Sequence, residues 1–179
     1  MSDRYEIRLS GAGGQGLILV GKILAEAAAI YDEKNATQSQ SYGPEARGGA
    51  SRSEVIISDG EIDYPKAEVI DLLLAMTQEA ADKYVEDVKE GGLVVVDSTF
   101  VERPPEGDFT VHSYPITELA DEKLGKKIVA NIVALGIIEK LSGIVTEEAL
   151  LTAIRTRVPK GTEDLNLKAF KLGQEQVTT

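Results

Sequence analysis

The chain of 179 residues has no cysteine and a single histidine, His112. The first absence excludes disulfides and any iron–sulfur cluster held by cysteines of this chain. The second rules out a histidine-rich metal site, and no metal-ligating residues are expected. Long apolar runs are also missing. No stretch of about 18 apolar residues occurs, so there is no candidate membrane helix. The opening MSDRYEIRL is too polar for a signal peptide. Basic residues are in short supply, 19 Lys and Arg against 30 Asp and Glu, giving a net charge of −11. That argues against nucleic-acid binding, which needs clustered cations to meet phosphates. The expectation is a cytoplasmic chain with neither nucleic acid nor membrane as partner. No internal repeat or low-complexity tract is present.

What remains is ordinary for a globular protein, 42% hydrophobic and 27% charged, and the length suits one domain over residues 1–179. Its organising stretch is Tyr5–Gly16, YEIRLSGAGGQG. Tyr5, Ile7 and Leu9 alternate as in a buried strand. The chain then turns through Gly11, Gly13, Gly14, Gln15 and Gly16 into an apolar helical run, Leu17 to Tyr31. Ile18, Leu24, Ala25 and Ala28 are expected on its buried side. Glycines allow positive φ and close approach, and free N–H groups at a helix start favour an anion. A phosphate-binding edge and a tight packing turn are equally open readings of Gly11–Gly16.

Two nucleotide motifs overlap there. Gly11, Gly13 and Gly16 satisfy the dinucleotide fingerprint, but the acid that should end the second strand is missing. Asp32 and Glu33 precede the second strand (Asn35 to Gln40), and it ends in Ser39 and Gln40. A free-standing dinucleotide-binding oxidoreductase is therefore the rival reading. Gly16 to Lys22 imitates a P-loop, but Ile23 stands where Ser or Thr should hold magnesium, and Leu17 to Val20 belong to the helix.

Further along, Ser53 to Ser58, Val69 to Ala75, Leu93 to Asp97 and Phe109 to His112 read as strands, with Ile62 to Tyr64 a short edge strand stopped by Pro65. Helices are expected over Gln78 to Val88, capped by Thr77 and followed by Gly91-Gly92, and after Thr117. Others are expected over Ile128 to Leu141, with Ile128, Ile132, Leu135 and Ile138 inward, after Thr146, and after Thr162. Strands alternating with helices predict an α/β fold: a single doubly wound, mainly parallel sheet with helices on both faces, Rossmann-like. The carboxyl ends of its strands would gather Gly11–Gly16, the long polar loop Tyr42–Gly49, Met76-Thr77 and Asp97-Ser98-Thr99.

Catalytic groups are scarce, and none is assigned. His112 and Ser113 are adjacent on a strand and point to opposite faces. Ser98 lacks a nucleophile elbow. Asp97 reads as a cap of the next turn before it reads as a ligand for a hydroxyl. Arg47 and Arg52 suit either a bidentate anion contact or acids on another subunit, and Tyr42 either an interface anchor or a ring packing its own loop.

Ile7–Gly16 followed by Gln40–Ser51, which contains Ser41-Tyr42-Gly43-Pro44-Glu45-Ala46-Arg47-Gly48-Gly49, resembles the gamma subunit of 2-oxoacid:ferredoxin oxidoreductases, and the 2-oxoglutarate branch in particular. Asp63-Tyr64-Pro65 and Pro159-Lys160-Gly161-Thr162 fit the same pattern, which covers nearly the whole chain. The resemblance implies alpha, beta and delta partner subunits and ferredoxin as acceptor. It implies thiamine diphosphate, Mg2+, iron–sulfur clusters and CoA handled through other subunits, with no cofactor bound by this chain alone. Tyr42, Gly43, Pro44, Glu45, Arg47, Gly48, Gly49 and Arg52 would then meet partner subunits, and Gly11–Gly16 would stand at a phosphate or CoA edge. Surfaces meant for partners give the isolated chain a route to self-association.

Overall fold

The structure is a computed structural model that describes residues 4–41 and 50–178. Among these, six strands form one sheet in the order β2-β3-β1-β4-β5-β6. They are β1 (Tyr5–Gly11), β2 (Asn35–Ser41), β3 (Ser51–Ser58), β4 (Ile70–Ala75), β5 (Val88–Asp97) and β6 (Thr110–Tyr114). β1, β4, β5 and β6 pair in parallel, while β3 runs antiparallel to both β1 and β2. The predicted mainly parallel α/β sheet is therefore present, with one strand reversed. The reversal follows from chain length: residues 42–50 alone join β2 to β3, too few for a parallel crossover of about a dozen residues.

The helices divide unequally between the faces. Helix α1 (Leu17–Glu26), α3 (Ile116–Leu124), α4 (Ala130–Ser142), α5 (Glu147–Arg157) and α6 (Glu163–Gln176) supply the larger core on one face. Helix α2 (Gln78–Tyr84) closes a smaller core on the other with Ile70, Leu73, Val94 and Val96. Thr77 and Thr146 cap α2 and α5 as expected, accepting from the amides of Ala80 and Ala149. Such caps are legible because donor and acceptor lie three residues apart.

Several local expectations are corrected. Residues 62–64 form no strand: β3 and β4 lie on opposite sides of β1, so the chain between them must cross its end. That crossing is held by Glu68 N–H on Glu6 Oε1 (2.8 Å) and by Arg4 on the Lys66 carbonyl. Helix α2 stops at Tyr84, a 3-10 turn covers Val85–Asp87, and Gly91-Gly92 lie inside β5. On α1 the buried residues are Leu17, Val20, Gly21, Ile23 and Leu24, with Ile18 and Ala25 only half-buried, and a π-helical turn follows at Ala27–Tyr31. A 3-10 turn at Lys127–Val129 precedes α4. It turns Ile128 out of phase with Ile132, Leu135 and Ile138, leaving it 76% exposed.

Candidate functional site at the carboxyl edge of the sheet

Three of the four segments expected at the carboxyl edge meet there. The amide of Met76 donates to the Ser10 carbonyl (2.8 Å), locking the end of β4 beside the end of β1. Gly14, Gln15, Met76, Phe100 and Thr117 share one hollow. The fourth, Tyr42–Gly49, lies outside the described residues, as do the expected interface positions Tyr42, Gly43, Pro44, Glu45, Arg47, Gly48 and Gly49. Its two ends are placed: Ser41 pairs with Arg52, and Ser51 pairs with Gly11.

The glycines of the first loop do different jobs. Gly16 caps α1 with φ 74°, the left-handed region that favours glycine, and its carbonyl accepts from Asn131 Nδ2 (3.1 Å). A Cβ on Gly11 would sit 3.0 Å from Met76 and 3.1 Å from Leu17, so close packing explains that position. Gln15 folds back to accept the amide of Ala12 at 2.7 Å. Gly13 and Gly14 form the exposed tip, where an added Cβ would meet nothing. Helix α1 has neither an acidic residue in its first turn nor a side-chain cap.

Asp97 is fully buried at the end of β5. It accepts from Thr99 N–H (3.0 Å), from Thr117 N–H (3.2 Å) and from the Thr117 hydroxyl (2.6 Å). The cap reading is thus the observed one. Thr117 sits inside the first turn of α3, after Pro115 as the N-cap residue, and bonds to Asp97 instead of capping the helix itself. Asp97→Ala should cost about 3 kcal/mol, because it strands a buried amide and a buried hydroxyl. Asp97→Asn should fall between the two, and urea denaturation would measure both. A neutral result for Asp97→Ala would return Asp97 to the ligand reading.

A buried polar cluster on the α2 face escapes sequence inspection. Arg8 lies between Glu54 (Nε to Oε2 2.8 Å) and Asp87, with its guanidinium 5.1 Å from the centre of the Tyr84 ring. Burial alone would lower the Arg8 pKa, but the Asp87 hydrogen bond and the Glu54 charge reverse this and raise it. Arg52 Nε donates to Ser41 Oγ (2.9 Å), and its guanidinium faces the same ring at 5.7 Å. Tyr84 in turn donates to the Ala50 carbonyl (3.4 Å). The cluster therefore clamps both roots of the segment 42–49. On the far edge strand β6, burial raises the Tyr114 phenol above its ordinary pKa.

Asp32, the nearest acid to a ribose-binding position, accepts both the amide and the hydroxyl of Thr146 at the start of α5 (2.8 and 2.7 Å). Among the described residues, no three His, Cys, Asp or Glu side chains form a group that could hold a metal ion. No helix among them is long and apolar enough to cross a membrane.

Fold and edge together define an α/β domain in which, among the described residues, no nucleophile, base and orienting group are brought together at the strand carboxyl ends. Residues 6–176 match the family model described as pyruvate ferredoxin/flavodoxin oxidoreductase, and the chain belongs to that family. It is 55% identical, over 96% of its length and 93% of the relative's, to the 2-oxoglutarate synthase subunit KorC of Methanocaldococcus jannaschii. It is 56% identical in sequence to the gamma subunit of a keto/oxoacid ferredoxin oxidoreductase from Geobacter sulfurreducens, with a TM-score of 0.88 over 96% of this chain and 97% of that one. It also matches the ketoisovalerate oxidoreductase subunit VorA of Methanothermobacter marburgensis at 32% identity, over 94% of this chain but 36% of that relative.

Proposed function

We propose that the chain is the gamma subunit of a cytoplasmic, thiamine-diphosphate-dependent 2-oxoglutarate:ferredoxin oxidoreductase. The assembly converts 2-oxoglutarate and CoA to succinyl-CoA and CO2 and passes two electrons to ferredoxin. One observation carries the reading: the 55% identity to a 2-oxoglutarate synthase subunit extends over nearly the full length of both chains. Alpha, beta and delta subunits hold the thiamine diphosphate with Mg2+ and the iron–sulfur clusters. A chain without cysteine cannot hold a cysteine-ligated cluster, which supports placing the clusters elsewhere.

The gamma chain contributes an edge. Tyr42–Gly49 and Arg52 face partner subunits. The Gly13-Gly14 tip and the acid-free start of α1 stand near the CoA path, where backbone N–H groups suit a phosphate. Anaerobic purification of the tagged chain from its own cells tests this. Companion chains should co-purify with 2-oxoglutarate- and CoA-dependent ferredoxin reduction. Recovery of the chain alone, carrying a nicotinamide or flavin, would replace the reading with the dinucleotide-binding enzyme.

A further inference from the structure

Two hollows meet at the glycine tip. One, of about 240 Å³, lies among the starts of α1, α4 and α6, bounded by Leu19, Val129, Pro159, Leu165 and Asn166. The other, of about 300 Å³, lies against Met76, Phe100 and Lys127. Gly14 and Ile128 border both, so the two form one groove with Ile128 as the ridge between them. Ile128 is the most exposed large apolar side chain in the described residues, and Phe100 on the far wall is 48% exposed. Among the described residues no carboxylate lines either hollow, in a chain with 30 acidic residues. Lys127 is the single charge there among the described residues. At the tip, neither packing nor positive φ requires Gly13 to lack a side chain.

We propose that this groove seats the larger companion polypeptide of the complex, a deepening that rests on the subunit reading above. The companion sets an aliphatic or aromatic side chain beside Ile128 and a carboxylate beside Lys127. The VorA comparison argues for such an occupant. There the matching region takes up about a third of one polypeptide, so the domain is covalently joined to a larger remainder. In the KorC relative the match takes up 93% of the subunit, so there the domain is held by contact, which commonly takes about 800 Å² per partner. The sheet faces are already covered by helices, and the outer strand β2, NATQSQS, is polar throughout its exposed positions. A second copy fits poorly. A two-fold contact sets a patch against itself and would bring Lys127 towards Lys127 and one ridge against the other.

The test uses the intact complex, purified through a tag on this chain carrying Ile128→Glu, with Val69→Glu as control. Val69 is 53% exposed and immediately precedes β4, at the opposite end of the sheet. Both side chains are exposed, so both variants should fold with unchanged thermal melts. Ile128→Glu should lower companion recovery by about tenfold or more, the effect of losing one hot spot, and Lys127→Glu should lower it too. Val69→Glu should recover the companion as wild type does. Unchanged recovery with Ile128→Glu overturns the inference and leaves the subunit reading standing. Unchanged recovery with a raised KM for CoA would assign the groove to the small molecule. Unchanged recovery with a dimer of the isolated chain that only Ile128→Glu makes monomeric would assign it to a second copy. If wild type recovers no companion at all, the subunit reading itself has failed.

Discussion

Arg8→Met is expected to lower the stability of the chain by about 3 kcal/mol, near the lower end of the cost of orphaning one partner of a buried ion pair. The low end is chosen because the two carboxylates differ. The Glu54 side chain is 11% exposed and would be left charged in a nearly dry site, whereas the Asp87 side chain is 47% exposed and can return to water. Methionine keeps most of the stem's packing, so the loss is electrostatic and not a cavity. Three cations, Arg8, Arg52 and Lys83, lie within 6 Å of the centre of one Tyr84 ring. Each gains from the ring's negative face, and Glu54 and Asp87 offset their mutual repulsion. Removing Arg8 leaves the nearly dry Glu54 carboxylate with only a 3.9 Å contact to Arg52 among the described residues. Arg8→Met combined with Glu54→Gln should therefore recover part of the loss, a coupling that a double-mutant cycle in urea would measure. In a domain of this size, 3 kcal/mol corresponds to a fall in Tm of about 6–12 °C. Stability within about 0.5 kcal/mol of wild type would show that the cluster contributes nothing net. Because Tyr84 and Arg52 also hold Ala50 and Ser41, Arg8→Met should weaken companion binding through the same roots of segment 42–49.

What the sequence made legible and what it hid divide by chain separation. Thr77 and Thr146 could be read as caps because their bonds close over three residues. The strand at Leu93–Asp97 and the carboxyl-edge gathering of Gly11–Gly16 with Met76 and Asp97 followed from a continuous apolar run and from the parallel-sheet rule. The alternation of Tyr5, Ile7 and Leu9 by itself puts Arg8 on the opposite face of the strand. Glu6, Arg8 and Ser10 are in fact all buried, because both faces of β1 are covered and each polar group has a distant partner. Those partners are Glu68 for Glu6, Glu54 and Asp87 for Arg8, and the Ser51 carbonyl for Ser10. Asp97 and Thr117 lie 20 residues apart, and Asn131 and Gly16 lie 115 apart. Nothing local announces either contact. Ile128 misled for a different reason: it keeps the helical spacing of Ile132 and Ile138, but one 3-10 turn shifts its phase. Side chains that belong to no core stripe are the ones left for a partner.

Gly173→Ala should destabilise the chain by about 2 kcal/mol, against the usual direction of such a change. An exposed glycine within a helix normally gains about 0.5–1 kcal/mol when replaced by alanine, and neither Gly173 nor Gly136 has a positive φ to oppose it. Their neighbours decide the sign. A Cβ on Gly173 would be driven into the Val133 carbonyl oxygen and would lie 3.1 Å from Ile137 N. A Cβ on Gly136 would enter the Phe170 carbonyl oxygen and lie 3.0 Å from Gln174 N. The two helices thus meet backbone to backbone, each at the other's glycine. No side-chain rotation can relieve the clash, so α4 and α6 must part, at the cost typical of an overpacked core. Gly173→Val should cost more, and Lys171→Ala, on the exposed side of α6, should be nearly neutral. The consequence reaches the edge. Helix α4 carries Asn131, which holds the Gly16 carbonyl, and α6 carries Asn166 on the far side of the same hollow. Parting the helices widens the groove under Ile128, so Gly173→Ala should lower both the melting temperature and companion recovery. A variant that melts higher than wild type would show that helix propensity outweighs the close crossing, and that the glycines do not set the groove.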